Sequence, residues 1–117
     1  MDIPRFNAVC AALPHATHVV QWGGAEVWKV GGKIFALAVP RPRASPQISF
    51  KASDSARPIL LERPGIIPAP YLARAGWVAV ISARALRDDD LAAYLGEAHR
   101  VVAGKLPRRV RDELGLG

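Results

Sequence analysis

The sequence predicts an α+β fold in two layers. A single antiparallel sheet, made of a four-strand meander plus a C-terminal hairpin, packs against helices. Three observations carry that expectation. Glycine pairs at Gly23-Gly24 and Gly31-Gly32 separate short apolar runs, and such pairs supply the positive φ that a two-residue hairpin turn requires. Strands joined by connections this short pair antiparallel, because parallel neighbours need a crossover of about a dozen residues or more. Helix-spaced apolar stripes stand on either side of this region, from Ile3 to Leu13 and from Leu91 to Leu106.

The elements follow in order. Asp2 caps a first helix with Pro4 in its opening turn, where a missing N–H costs nothing. Ile3, Phe6, Val9, Cys10 and Leu13 form its apolar face, and Pro14 ends it. Four strands are predicted next: Thr17–Trp22, Glu26–Val30, Lys33–Val39 and Gln47–Lys51. Alternation puts Lys33, Phe35, Leu37 and Val39 on one side of the third strand and Ile34, Ala36 and Ala38 on the other. Those small residues predict a partly covered second face. Ser53 or Asp54 caps a second helix running to about Arg63, with Pro58 near its first turn and Ile59, Leu60 and Leu61 as apolar contacts. Pro64–Pro70 reads as irregular. Pro70–Ala73 and Trp77–Ser82 read as a second hairpin around Ala75-Gly76. Asp88-Asp89-Asp90 opens the longest helix, as cap and as charges favourable to the helix dipole. Its stripe is Leu91, Leu95, Ala98, Val101, Val102 and Leu106, with His99 at the boundary. Pro107 interrupts it, and Arg108–Leu114 reads as a short terminal helix.

The chain's 117 residues fit one domain, residues 1–117. That length buries roughly two-thirds of the unfolded surface, so neither staples nor metal are needed. No apolar run approaches the roughly 18 residues of a membrane span, and the N-terminus has no signal-peptide pattern. A lone Cys10 excludes an internal disulfide. These features fit a protein of the reducing cytoplasm. Sixteen Lys and Arg against ten Asp and Glu give a net charge of +6. Residues 29–57 carry Lys29, Lys33, Arg41, Arg43, Lys51 and Arg57 against the single acid Asp54. Residues 100–111 carry Arg100, Lys105, Arg108, Arg109 and Arg111 and no acid. Basic stripes of this kind favour polyanions such as nucleic acid, although ordinary solubility also accounts for excess charge.

Five fragments stand in a telling order: Trp28-Lys-Val-Gly-Gly-Lys-Ile-Phe-Ala36, Ile48-Ser-Phe-Lys51, Pro70-Tyr-Leu72, Gly76-Trp-Val78 and Lys105-Leu-Pro107. Their order and spacing resemble the MmcQ/YjbR family over nearly the whole chain. The resemblance implies helices against one antiparallel sheet, similar to the type III secretion chaperones. It also implies DNA binding, which for this family rests largely on fold and charge. It supplies no catalytic residue. The loop Pro40–Pro46, rich in Arg and Pro, departs from the family pattern.

Motifs for chemistry are sparse. Gly31-Gly32-Lys33 is no phosphate loop: Val27 stands where the first Gly of G-x-x-x-x-G-K belongs, Ile34 follows where Ser or Thr should hold magnesium, and a strand follows where a helix should. His15-x-x-His18 has no Cys or carboxylate beside it in sequence, so it reads as loop or strand-end histidines rather than a metal site. Cys10 falls on an apolar face and reads as core. Trp28 and Trp77 read as sheet packing, and Lys29 points opposite to Trp28. No cofactor or metal is called for. The expectation is therefore a non-enzymatic DNA-binding domain, with Lys29, Lys33, Arg41, Arg43, Lys51, Arg108 and Arg109 contacting phosphate. The alternative is a protein-interaction or chaperone-like module, which an exposed Trp or Phe on the sheet would support. A deep pocket with a buried ionisable group would revive a small-molecule role.

Overall fold

The computed structural model describes residues 1–70 and 72–116. Helix α1 (Ile3–Ala11) is capped by Asp2, whose carboxylate accepts from the Arg5 amide at 2.9 Å. Its buried side chains are Phe6 and Cys10. Strands β1 (Thr17–Gln21), β2 (Ala25–Val30), β3 (Lys33–Val39) and β4 (Gln47–Lys51) form the expected antiparallel meander. Gly31 and Gly32, at φ +56° and +80°, make the β2–β3 turn as their sequence predicts.

Helix α2 (Ala56–Leu61) is shorter than predicted. Ser53 Oγ accepts from the Ala56 amide at 3.2 Å, but the N-cap position belongs to Ser55, not to Ser53 or Asp54, and carries no side-chain cap bond. Leu60 is fully buried, but Ile59 points to solvent at 61% exposure. A six-residue helix resting on one side can sink only one face, and the pitch of 3.6 residues per turn rotates Ile59 away from it.

The second hairpin exists but starts earlier than predicted. Its first strand is β5 (Ile66–Pro68), inside the stretch read as irregular. Its second is β6 (Trp77–Val80), and a short 3-10 turn (Ala73–Ala75) lies between them. Tyr71, part of the predicted strand Pro70–Ala73, lies outside the described residues. The sheet order is β1-β2-β3-β4-β6-β5, which leaves β5 on the edge. An edge strand can tolerate Pro68 because its missing N–H removes no ladder bond on the outer side.

One register shift reverses a sequence expectation. Trp28 pairs with Ala36 but Lys29 pairs with Ile34, so Phe35 falls between two successive β2 partners. This bulge turns Phe35 and Ala36 both toward the helices. Beyond it, Ala38 faces the helices while Leu37 faces outward, opposite to strict alternation. The consequence is mechanical. The longest helix, α3 (Asp88–Gly104), packs on β3, and the small Ala36 and Ala38 permit close approach.

The inner core joins Phe6, Phe35, Phe50, Leu60 and Val78 to Leu91 and Leu95 of α3. A second, smaller core covers the outer face, where Ala69 and Leu72 of the β5–β6 connection close over Val27, Leu37, Trp77 and Ala79. The predicted partial cover is thus present, over Leu37 rather than over the small residues. His99 is a correction of another kind. Expected at the boundary, it is only 4% exposed, and its Nε2 donates to the Pro14 carbonyl at 2.7 Å. Asp88 begins α3, but its N-cap position belongs to Arg87 and carries no side-chain cap bond. The three acids therefore act on the helix dipole rather than as caps, and Asp88 also meets Arg5 of α1 at 3.5 Å. Helix α4 (Arg108–Leu114) follows Pro107 as expected.

Candidate nucleic-acid interface

The β2–β3 turn lies at one end of the sheet. The end of β4, the Ala75–Trp77 segment and the C-terminal end of α3 meet there as well. Leu106 sits close against Gly31, where an added Cβ would lie 2.5 Å from Leu Cδ1. This contact brings Lys105 beside the turn. A cavity of about 230 Å³ opens between these elements. Its floor is Ile34, Trp77, Val102 and Leu106, and its charged wall is Lys33, Lys51 and Lys105. Among the described residues none of the three lysines forms an ion pair.

Lys51 is the most constrained of the group. Its Nζ donates to the Ala75 carbonyl. Partial burial lowers its pKa from the ordinary lysine value, and the positive charges of Lys105 and Arg57 lower it further. Arg57 Nε donates to the Gly76 carbonyl at 3.4 Å, and its Nη2 holds the Asp54 carboxylate at 2.7 Å. That hydrogen bond and charge keep the Asp54 pKa below its usual value. Gly76 is needed at this crossing: at φ +80°, an added Cβ would meet the Arg57 guanidinium at 2.5 Å and Lys51 Nζ at 3.0 Å. Lys33, Lys51, Lys105 and Arg57 thus gather around one sheet end, with Asp54 engaged by Arg57.

The predicted residues divide between two ends of the sheet. Lys29, Lys33 and Lys51 fall at the β2–β3 turn end, with Lys29 on the outer face opposite Ile34 and Thr17. Arg41 and Arg43 lie beyond Val39 at the opposite end, about 20 Å along β3 from Lys33 at the usual rise per residue. Arg41 is also engaged structurally: Nε donates to Ser45 O at 2.8 Å and Nη2 to Ile81 O at 2.7 Å. Arg43 is exposed, in a left-handed backbone conformation at φ +58°. Arg108 and Arg109 stand on exposed α4, each within 4 Å of a carboxylate, Asp112 at 3.8 Å and Glu113 at 3.9 Å. The acid-free run therefore meets its counter-charges one helical turn later.

Lys105 and Arg57, one from each basic run of the sequence, join the site only in the fold. Lys105 lies 54 positions beyond Lys51 in the sequence. Its sequence signals are its place in the basic run 100–111 and in the fragment Lys105-Leu-Pro107.

The other singled-out residues are structural. Burial pushes the Cys10 thiol up to about 12. His18 bonds Glu26 at 2.8 Å and stacks on Trp28 at 4.8 Å. Trp28 and Trp77 are each 6% exposed, whereas Trp22 is 68% exposed. Among the described residues no helix is long and apolar enough to cross a membrane.

The model of the YjbR family matches residues 11–101. The chain belongs to the YjbR family. Solved structures agree on the fold. A Deinococcus radiodurans protein, DR2400, carrying the DUF419 family domain, matches with a TM-score of 0.84 and 23% identity, covering 99% of this chain and 89% of the other. A protein from Pseudomonas syringae matches with a TM-score of 0.69 and 16% identity, over 87% of this chain and 99% of the other. At these identities the likeness concerns the YjbR fold. No curated protein matches.

Proposed function

We propose that this YjbR-family chain is a non-catalytic nucleic-acid-binding domain that grips backbone phosphate with the lysines at the β2–β3 turn. The observation that carries the reading is the convergence of Lys33, Lys51 and Lys105 on one cavity. Like charges brought together destabilise the folded state unless something anionic joins them. Lys29 extends the patch on the outer face, while Arg57 adds less because Asp54 and the Gly76 carbonyl already hold it. Arg43 is far enough away that only an extended ligand spans both ends. Arg41, Arg108 and Arg109 stand as weaker contacts, because each already has a partner within the chain.

Titration of a labelled duplex at 50 and 200 mM salt tests this. Three phosphate contacts give a log–log salt slope of about −2.7, or roughly 40-fold weaker binding across that interval. Removing Lys33 or Lys105 should lower the slope by about 0.9. Binding that ignores salt, or equal losses from the exposed pair Arg84/Arg87, sinks the assignment.

A protein-interaction role has one observation in its favour. Trp22 is exposed beside Val39, and both line an outer-face groove of about 370 Å³. Under this reading Trp22→Ala abolishes capture of a protein partner from nuclease-treated lysate and leaves duplex binding intact.

A further inference from the structure

A cavity of about 360 Å³ opens where α3 faces the end of α1 and the C-terminal side of α4. It shares no lining residue with the lysine cavity. Its size falls in the range of small-molecule sites, roughly 300–1,000 Å³. Leu13, Pro14, Ala103 and Leu116 make it mainly apolar, and Arg100 and Arg111 bring two guanidinium groups to it.

Three features mark it as built to receive something. Among the described residues Arg111 Nε is buried and has no hydrogen-bond partner, a state that is costly unless something pairs with it. Among the described residues neither Arg100 nor Arg111 forms an ion pair, and no carboxylate lines the cavity. Glu97, whose buried Oε1 has no partner among the described residues, is not among the lining residues.

The second feature is the pair of glycines. Gly96 lies in the interior of α3, where glycine is less favourable than alanine, and Gly104 is the last residue of that helix. Packing does not require them. A Cβ at Gly104 would meet nothing within 4 Å, and one at Gly96 would meet only ordinary contacts at 3.6 and 3.9 Å. Their absence of side chains keeps the space open.

The third is the wall. His99 spends its Nε2 proton on the Pro14 carbonyl and meets Phe35 edge-on, with ring centroids 5.3 Å apart. The α1 end of the cavity is thereby fixed to α3.

We infer that this cavity binds a small amphipathic carboxylate, with its head between Arg100 and Arg111 and its apolar body against Leu13, Pro14, Ala103 and Leu116. Guanidinium groups suit the planar carboxylate, and the mainly apolar lining suits a ligand with one charge rather than the nearly two of a phosphate monoester.

Octanoate is the probe, with 1-octanol and inorganic phosphate as counter-probes, followed by amide NMR on the full chain. Octanoate should produce saturable shifts at Gly96, Ala103 and Gly104, with 1-octanol and phosphate each at least about tenfold weaker. Arg111→Gln should weaken octanoate at least about tenfold, the loss expected for one charge-assisted hydrogen bond. Gly104→Leu should block the cavity without touching α4, so the test survives if Arg111→Gln disturbs the terminal helix. The inference is overturned if octanoate produces no saturable shift or shifts only the lysine cavity. It also fails if 1-octanol or phosphate binds as well, or if a folded Arg111→Gln or Gly104→Leu variant binds octanoate like the parent.

Discussion

Asn7 joins α1 to the sheet through one indole. Trp28 Nε1 donates to Asn7 Oδ1 at 2.9 Å, and Asn7 Nδ2 donates to Glu26 Oε1 at 3.3 Å. Asn7→Ala removes the acceptor and leaves the indole N–H of a 6%-exposed side chain unpaired. The long, part-buried contact to Glu26 adds little. The cost should therefore be close to that of one orphaned buried donor, about 1–3 kcal/mol. For a domain of this size that lowers the melting temperature by roughly 3–6 °C per kcal/mol. Trp28→Phe removes the donor itself, so Asn7→Ala made on that background should cost within about 0.5 kcal/mol of nothing. The assay is urea unfolding followed by far-UV circular dichroism for the parent, both single variants and the double variant. A coupling of about 1–3 kcal/mol is expected, with unchanged m-values. An equal cost of Asn7→Ala with and without the indole refutes the reasoning, because the hydrogen bond would then contribute nothing specific.

Three further outcomes follow from the same geometry. Gly31→Ala should destabilise by about 1–3 kcal/mol, because it combines positive φ with a 2.5 Å approach to Leu106; Gly32→Ala, with nothing within 4 Å, should cost less in the same thermal melts. Cys10, buried and with its thiol pushed up to about 12, should resist maleimide in buffer and react on unfolding in urea; labelling of the native chain at the unfolded rate would contradict its burial. Lys51 has a lowered pKa in the folded state, so its protonation opposes folding at neutral pH, and that penalty fades as pH rises through the folded value toward 10.5. Lys105→Gln should move the Lys51 pKa back up, as read by NMR of the lysine Nζ groups, and an unmoved value would show that the two charges do not interact.

Local signals in the sequence determined much of this protein. Asp2 and Pro4 set the first helix, Gly31-Gly32 set a hairpin, and the stripe from Leu91 to Leu106 set the long helix, because each rests on contacts within a few residues. What only the tertiary structure decided involved contacts between distant segments. The bulge at Phe35 reversed the faces of Leu37 and Ala38, since the ladder with β2 and the packing of α3 fix register, while alternation alone does not. The hairpin strand moved into Ile66–Pro68 because an edge position excuses a proline that a central strand would reject. The candidate site followed the same division. Lys29 and Lys33 are legible as charges flanking one turn, with Lys51 at the end of the fourth strand. Lys105 joined them only because Leu106 docks on Gly31, and Arg41 left them because it bonds carbonyls at the other end of the sheet. Charge is written in composition, but whether two charges share a surface depends on packing between segments far apart in the chain.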